Sequence, residues 1–266
     1  MRRLHFTYEM EILYSEEVSR CNFTIKCIPQ NTSRQKIEQY KISLFPANAY
    51  CMGKDGLRNV QIYGVNEKKH DRFVFRIEGI AVTGLAKFEE EADEDIAMIF
   101  GHPYGLNVPG KEIQAYYEKN KPEESLTSYE KAIELMHALH RDFQYQPCTT
   151  DVDTTAEDAF IQGYGVCQDY AHIYIALMHL AGIPARYVTG LIVGEGASHA
   201  WVEILWKDRW YGLDPTNDLV VKDDHIKIGI GRDAKDCMIN RGIMHGNCLQ
   251  TQRIKVSVKD IEENIE

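Results

Sequence analysis

Over roughly the first 88 residues, apolar and polar side chains alternate in short runs. LHFTYEMEILY, CNFTIKCIP, QYKISLFP, RNVQIYGVN and RFVFRIEGIAVTGLA each show the two-residue period of a half-buried strand. Gly53, the Lys54-Asp55-Gly56 turn and the charged stretch KKHDR punctuate them. This spacing predicts a small β-sandwich. The next segment, EEEADED at 89–95, places six acids in seven positions, which predicts a solvated linker between a β-rich domain over 1–95 and a second unit over 96–266. The glycine and alternating ligands of an EF-hand loop are missing from it, so no calcium loop is expected there.

The period then becomes helical. In SLTSYEKAIELMHALHRDF, Thr127 and Glu130 have capping-box spacing, and Ile133, Met136, Leu139 and Phe143 recur at three- and four-residue steps. His137 and His140 ride on this helix as surface or core-edge side chains. A second helix, expected over 167–181, is apolar nearly all round, which marks a buried central element, and Gly182 and Pro184 stop it. Strands follow near 185–193, 198–206 and 209–214, and QTQRIKVSVKDI supplies a last strand near 250–261.

Composition narrows the possibilities further. At 266 residues, with 44% hydrophobic and 26% charged side chains, the chain fits one catalytic-sized domain and a smaller companion. A net charge of −10 argues against a nucleic-acid partner, whose phosphates need a basic face. No apolar run suits a signal peptide or a membrane span, so a cytoplasmic location is expected. The seven cysteines include no CxxC and are an odd number, which predicts mainly free thiols rather than a disulfide framework. Cys21 and Cys27 share one strand face with Phe23 and Ile25 and read as small core residues.

Candidate chemistry centres on Cys167. It follows Gly163-Tyr164-Gly165 and opens the apolar helix, so its sulfur lies where unpaired N–H groups and the helix dipole favour a thiolate. In SHAWVEILWKDRWYGLDPTN, a two-residue turn at Lys207-Asp208 pairs Leu205 with Trp210 and Trp206 with Arg209. Extending that register puts His199 opposite Thr216 and diagonal to Asp214 on the same face, close enough for an Asp-to-imidazole hydrogen bond. Nucleophile, base and orienting carboxylate are then all supplied. The Cys167 N–H is the natural first oxyanion donor, and Gln162, Gln168 and Tyr145 are capable of providing the second. Asp169 and His172, one turn into the helix, are expected to support the site. Trp201, Trp206 and Trp210 all fall in the His199–Asp214 hairpin, at least two of them as core. Arg232 and Asp233 are expected to form structural ion-pair or loop bonds.

These segments, GYGVCQDYAHIYIALMHLAGIPARYVTGLI, SHAWVEILWKDRWYGLDPTN and GRDAKDCMINRGIMHG, resemble the transglutaminase-like superfamily, which includes bacterial cysteine peptidases. The resemblance covers about 140–258. It implies an α+β fold with a papain-like core, in which the helix bearing the nucleophile packs on an antiparallel sheet. Cys167 would be nucleophile, His199 general base and acid, and Asp214 the third member. The leading β-rich region looks like the N-terminal domain that commonly precedes such cores in bacteria. Ala234 departs from the aromatic usual after GRD, and Ile239 from an expected proline. The expected function is thiol-dependent amide hydrolysis of a peptide or protein through an acyl-enzyme. Two alternatives are protein-glutamine γ-glutamyltransferase chemistry, by transamidation or deamidation, and a non-catalytic peptide-binding module with a papain-like cleft. The chemistry requires no metal or organic cofactor.

Overall fold

The computed structural model describes residues 1–46, 49–90, 98–147 and 149–261. Strand β1 (Arg2–Ile25) organises the N-terminal part. Its first half buries Leu4, Phe6, Tyr8, Met10 and Ile12 on one face, the alternation that the sequence carries. The chain continues through β2 (Gln35–Phe45), β3 (Cys51–Lys54), β4 (Val60–Asn66), β5 (His70–Thr83) and β6 (Glu89–Glu90). The two segments expected as separate strands are one strand here, because β5 pairs with residues 2–13 and again at Val18, and β4 with residues 21–25. The polar Ser15-Glu16-Glu17 step interrupts the register between Leu13 and Val18, where the strand passes from one set of partners to the other.

The second part contains helices α1 (Lys111–Lys119) and α2 (Ser128–Asp142), strand β7 (Gln144–Tyr145), helix α3 (Ala156–Gln162), strand β8 (Tyr164–Gly165) and helix α4 (Cys167–Leu180). Strands β9 (Ala185–Ile192), β10 (Gly194–Gly196), β11 (His199–Trp206), β12 (Arg209–Asp214), β13 (Leu219–Val220), β14 (His225–Gly231), β15 (Asn240–His245) and β16 (Gln250–Asp260) follow. Thr127 caps α2 reciprocally with Glu130, as their spacing predicts.

Strands β13, β12, β11, β9 and β14 form, in that order, an antiparallel sheet. One face takes α4 and its helical neighbours, whose core includes Leu135, Tyr174, Leu177, Val202 and Leu213. The other face contributes Leu191, Ile226 and Ile228 to the core of the N-terminal strands, beside Phe6, Tyr8 and Phe75. A sheet covered on both sides needs nearly continuous apolar strands, which is how ARYVTGLI in β9 reads. The result is the expected α+β fold, with a helix on an antiparallel sheet and an N-terminal β domain.

Two expectations about organisation differ from the structure. Strand β16, assigned by sequence order to the second unit, pairs with β1 from Leu4 to Tyr14, and β15 also pairs with β1. The end of the chain therefore completes the N-terminal sheet, a non-local pairing that no local pattern encodes. The acidic run does not begin as a solvated linker. Glu89 is buried, β6 pairs with β12, and the Glu89 carboxylate meets Arg186 and Lys227. Residues 91–95 of the run lie outside the described residues. Cys21 and Cys27 are buried free thiols, as expected.

Candidate active site

Local backbone chemistry sets the start of α4. Helix α3 ends on Gly163, whose φ of +82° is the left-handed cap conformation that glycine adopts without strain. Strand β8 then pairs in parallel with β7, Tyr145 opposite Gly165. Asp169 reaches back to accept the Val166 N–H at 2.7 Å and the Thr150 hydroxyl at 2.7 Å. A Cβ on Gly165 would stand 2.5 Å from the Asp169 Oδ2, so the glycine is what lets this carboxylate cap the helix. Burial raises the Asp169 pKa against the hydrogen bonds that hold it down. Cys167 is half-buried at the first helical position, where the N–H has no acceptor inside the helix.

The β11–β12 hairpin supplies the other groups. Lys207 and Asp208 have φ of +52° and +57°, the conformation of a two-residue type I′ turn. The turn fixes Leu205 opposite Trp210 and Val202 opposite Leu213, the register expected from sequence. Asp214 thus reaches His199: the imidazole Nε2–H donates to Oδ2 at 2.7 Å. With Nε2 engaged, Nδ1 is the nitrogen left for Cys167. Burial by itself would lower the His199 pKa, but the Asp214 hydrogen bond and the Cys167 thiol on the other side raise it to about 10.

Asp214 is fully buried and saturated with donors. Oδ1 accepts the backbone N–H groups of Thr216 at 3.0 Å and Asn217 at 3.2 Å. Oδ2 accepts from His199, from Asn217 Nδ2 at 2.7 Å and from His225 Nε2 at 3.2 Å. Burial pushes its pKa up, and these hydrogen bonds outweigh that and hold it well below the usual carboxylate range. The second nitrogen of His225 bonds Asp224 Oδ1 at 2.6 Å. His199, Asp214 and His225 offer ligand atoms within 4.8 Å of one another. Two ligands of one tetrahedral zinc stand about 3.3 Å apart for bonds near 2.0–2.1 Å. The 2.7 Å His199–Asp214 contact is shorter than that and has the length of a hydrogen bond.

The other residues singled out from sequence divide by position. Tyr145 is exposed, and partial burial, then the Cys167 thiol, raises its pKa. Gln162 and Gln168 donate instead to the carbonyls of Thr149 and Asp151, each at 3.3 Å. His172 is fully buried and accepts the Ala234 N–H at 3.1 Å, tying the loop after β14 to α4; burial and Lys235 lower its pKa to about 3. His137 and His140 sit at the edge of α2 and bond Asp218 and Pro215, bracing the turn after Asp214. Arg232 pairs with Asp236, whereas Asp233 accepts the Leu106 and Lys235 N–H groups.

Trp201 and Trp210 are core residues, and Trp201 flanks His199 at 6.3 Å and His225 at 5.1 Å between ring centroids. Gly190 makes room for it, since a Cβ there would meet the indole at 2.3 Å. Sequence reasoning missed Asn217, Asp224 and His225. The adjacent Asp-His pair at the head of the apolar strand HIKIGIG was the available signal, and only the pairing of β14 with β9 brings it beside β11.

A cavity of about 300 Å³ adjoins the site. Gln168 and Ser198, the neighbours in sequence of Cys167 and His199, line it with Tyr187, and Tyr8 and Gln252 of the N-terminal sheet close it. A second cavity of about 480 Å³ shares Val152, Met238, Asn240 and Gln252 with it.

Comparison with known proteins agrees with this architecture. Residues 116–215 match the family described as the transglutaminase-like superfamily, and residues 4–82 match the bacterial transglutaminase-like N-terminal region. Both matches are to transglutaminase-like families, and the first contains Cys167, His199 and Asp214. Among curated relatives, uncharacterized protein ML0607 of Mycobacterium leprae is 41% identical over 112 residues, spanning 38% of this chain and 40% of that one. Uncharacterized protein Rv2569c of Mycobacterium tuberculosis is 27% identical across 96% of this chain and 91% of its own length. A protein-glutamine gamma-glutamyltransferase of Pseudomonas aeruginosa is 33% identical over 92 residues, 29% of this chain and 14% of that protein. The crystal structure of "a Putative Cysteine Protease from Cytophaga hutchinsonii" superposes with a TM-score of 0.79 at 21% identity, covering 100% of this chain and 93% of that one.

Proposed function

We propose that the protein is a thiol-dependent amide hydrolase acting on polypeptides, with Cys167 as nucleophile, His199 as base and acid, and Asp214 as the group that orients His199. The observation that carries the reading is the His199 Nε2–Asp214 bond of 2.7 Å, which commits one imidazole nitrogen and leaves the other for the thiol. In the acylation step Nδ1 takes the Cys167 proton and Sγ adds to the amide carbonyl carbon. The carbonyl π electrons move onto oxygen, facing the Cys167 N–H. As the C–N bond breaks, His199 returns the proton to the departing amine, and a thioester remains. Water then attacks the thioester with His199 as base, the C–S bond breaks, and the carboxylic acid leaves with the thiol restored. The cavity lined by Gln168 and Ser198, and the second one that shares Val152, Met238, Asn240 and Gln252 with it, support an extended polypeptide as substrate, since a small amide would fill neither.

A primary amine could capture the same thioester, and the local similarity to the Pseudomonas aeruginosa protein-glutamine gamma-glutamyltransferase supports that second reading. The test is a mixed peptide pool incubated with protein, a primary amine and reductant, read by mass spectrometry against Cys167→Ala. Backbone cleavage that requires Cys167 is the expected result. Amine incorporation at glutamine without cleavage would replace hydrolysis by transamidation. An unchanged pool would favour a peptide-binding module. Cys167→Ala should abolish turnover and leave the melting temperature close to that of the wild type.

A further inference from the structure

We propose that His225, clamped between Asp224 and Asp214, is a positioning residue: as an imidazolium it fixes the Asp214 carboxylate and offsets part of its charge, so that His199 can release its proton to the leaving amine. This rests on the proposed function above. The argument starts from donors and acceptors. His225 opens β14 opposite Ile192 of β9, and its side chain is 1% exposed. Nδ1 lies 2.6 Å from Asp224 Oδ1 and Nε2 lies 3.2 Å from Asp214 Oδ2. Ionised carboxylates only accept, and a neutral imidazole has a single N–H. A neutral His225 would press a lone pair against one carboxylate with no water between them. The imidazolium satisfies both. Burial opposes that charge, but the bonds to Asp214 and Asp224 overcome it and raise the His225 pKa.

Two imidazoles thus share one carboxylate oxygen, their centroids 5.9 Å apart. Asp214 alone would bind the His199 proton too strongly for it to serve as an acid, and a second positive ring weakens that hold. At this separation the Coulomb interaction is worth between about 0.5 and 2 pH units for dielectric constants of 80 and 20, so about one unit is expected. Other charged groups close to His225 have partners elsewhere. Arg2 faces Asp224. Beyond Trp201, Glu89 and Glu203 are paired with Arg186 and Lys227, while Arg34 donates to the Val221 and Lys222 carbonyls.

The test uses the whole protein with ¹⁵N-labelled imidazoles, comparing wild type with His225→Gln and Asp224→Asn. Glutamine can keep a donor toward Asp214 without the charge. NMR should find protons on both His225 nitrogens through the neutral range in the wild type. In His225→Gln the His199 midpoint should rise by about one pH unit, and the alkaline limit of Cys167 alkylation by iodoacetamide should rise with it. In Asp224→Asn the His225 midpoint should fall toward its ordinary value of about 6.5, and above that pH His199 should behave as in His225→Gln. A single proton on wild-type His225 would overturn the proposal. So would a variant that melts lower while the His199 midpoint stays fixed, which is the mark of a merely structural residue. If His225→Gln fails to fold, the wild-type proton count and Asp224→Asn still decide the matter. If the His199 midpoint moves as stated but Cys167 alkylates no faster than exposed Cys51 in the wild type, the thiol-enzyme reading fails while the His225–His199 link stands.

Discussion

Replacing Asp214 by asparagine changes one atom of the site and should reverse the polarity of His199. The backbone N–H groups of Thr216 and Asn217 both donate to Oδ1, so they hold the asparagine carbonyl oxygen in that place. Its NH₂ group then faces His199 Nε2, His225 Nε2 and Asn217 Nδ2, which are donors in the wild type. His199 can meet an N–H only by accepting at Nε2. Its proton moves to Nδ1, the nitrogen that has to take the thiol proton.

The size of the effect follows from the His199 pKa, which stands near 10 in the wild type. Without the carboxylate it returns to its ordinary value of about 6.5 or below, a change of about 3.5 pH units, or roughly 5 kcal/mol. At about pH 7.5, His199 falls from almost wholly protonated to at most about one-tenth. Alkylation of Cys167 by iodoacetamide, followed peptide by peptide with Cys51 as internal reference, should slow at least tenfold at neutral pH. Turnover should fall by a factor on the order of 10² to 10⁴, less than in Cys167→Ala. Unpaired donors around the new amide should also lower stability by about 1–3 kcal/mol. A Cys167 alkylation profile in Asp214→Asn that overlays the wild type from pH 5 to 10 would refute the role given to Asp214.

Two further predictions concern stability. His172 has a pKa of about 3 in the folded protein, below its unfolded value, so the folded state binds fewer protons. Its contribution is complete above about pH 6.5 and is lost as the pH falls toward 3, at up to about 1.4 kcal/mol per pH unit; urea titrations of His172→Gln, which can still accept from Ala234, should show a flatter acid limb. Glu203, 1% exposed, pairs with Arg186 at 2.6 Å and Lys227 at 3.1 Å. Glu203→Ala removes one of the two carboxylates set against those buried cations, Glu89 being the other, and should destabilise by about 3–5 kcal/mol, read from denaturant midpoints; a loss below 1 kcal/mol would mean that Glu89 and water make up for it.

What the sequence determined was local. Alternation marked the strands, the 3.6-residue period marked α2, and an apolar run ended by Gly182 and Pro184 marked α4 as the buried helix with Cys167 at its start. Even the His199–Asp214 bond was legible, because a two-residue turn fixes the register of a hairpin over a few positions. What tertiary structure decided was every pairing across a long loop. The placement of β16 beside β1 depends on closing a chain of about 250 residues, and no periodicity carries that information. Glu89 read as the first residue of a solvated acidic run, and its burial became visible only when Arg186 of β9 and Lys227 of β14 supplied the opposite charge. His225 is the clearest case. Its neighbour Asp224 is adjacent in sequence, but its significance comes from Asp214 and His199 on two other strands, and a residue's charge state in a dry interior is set by partners that the fold alone brings within 3 Å or so.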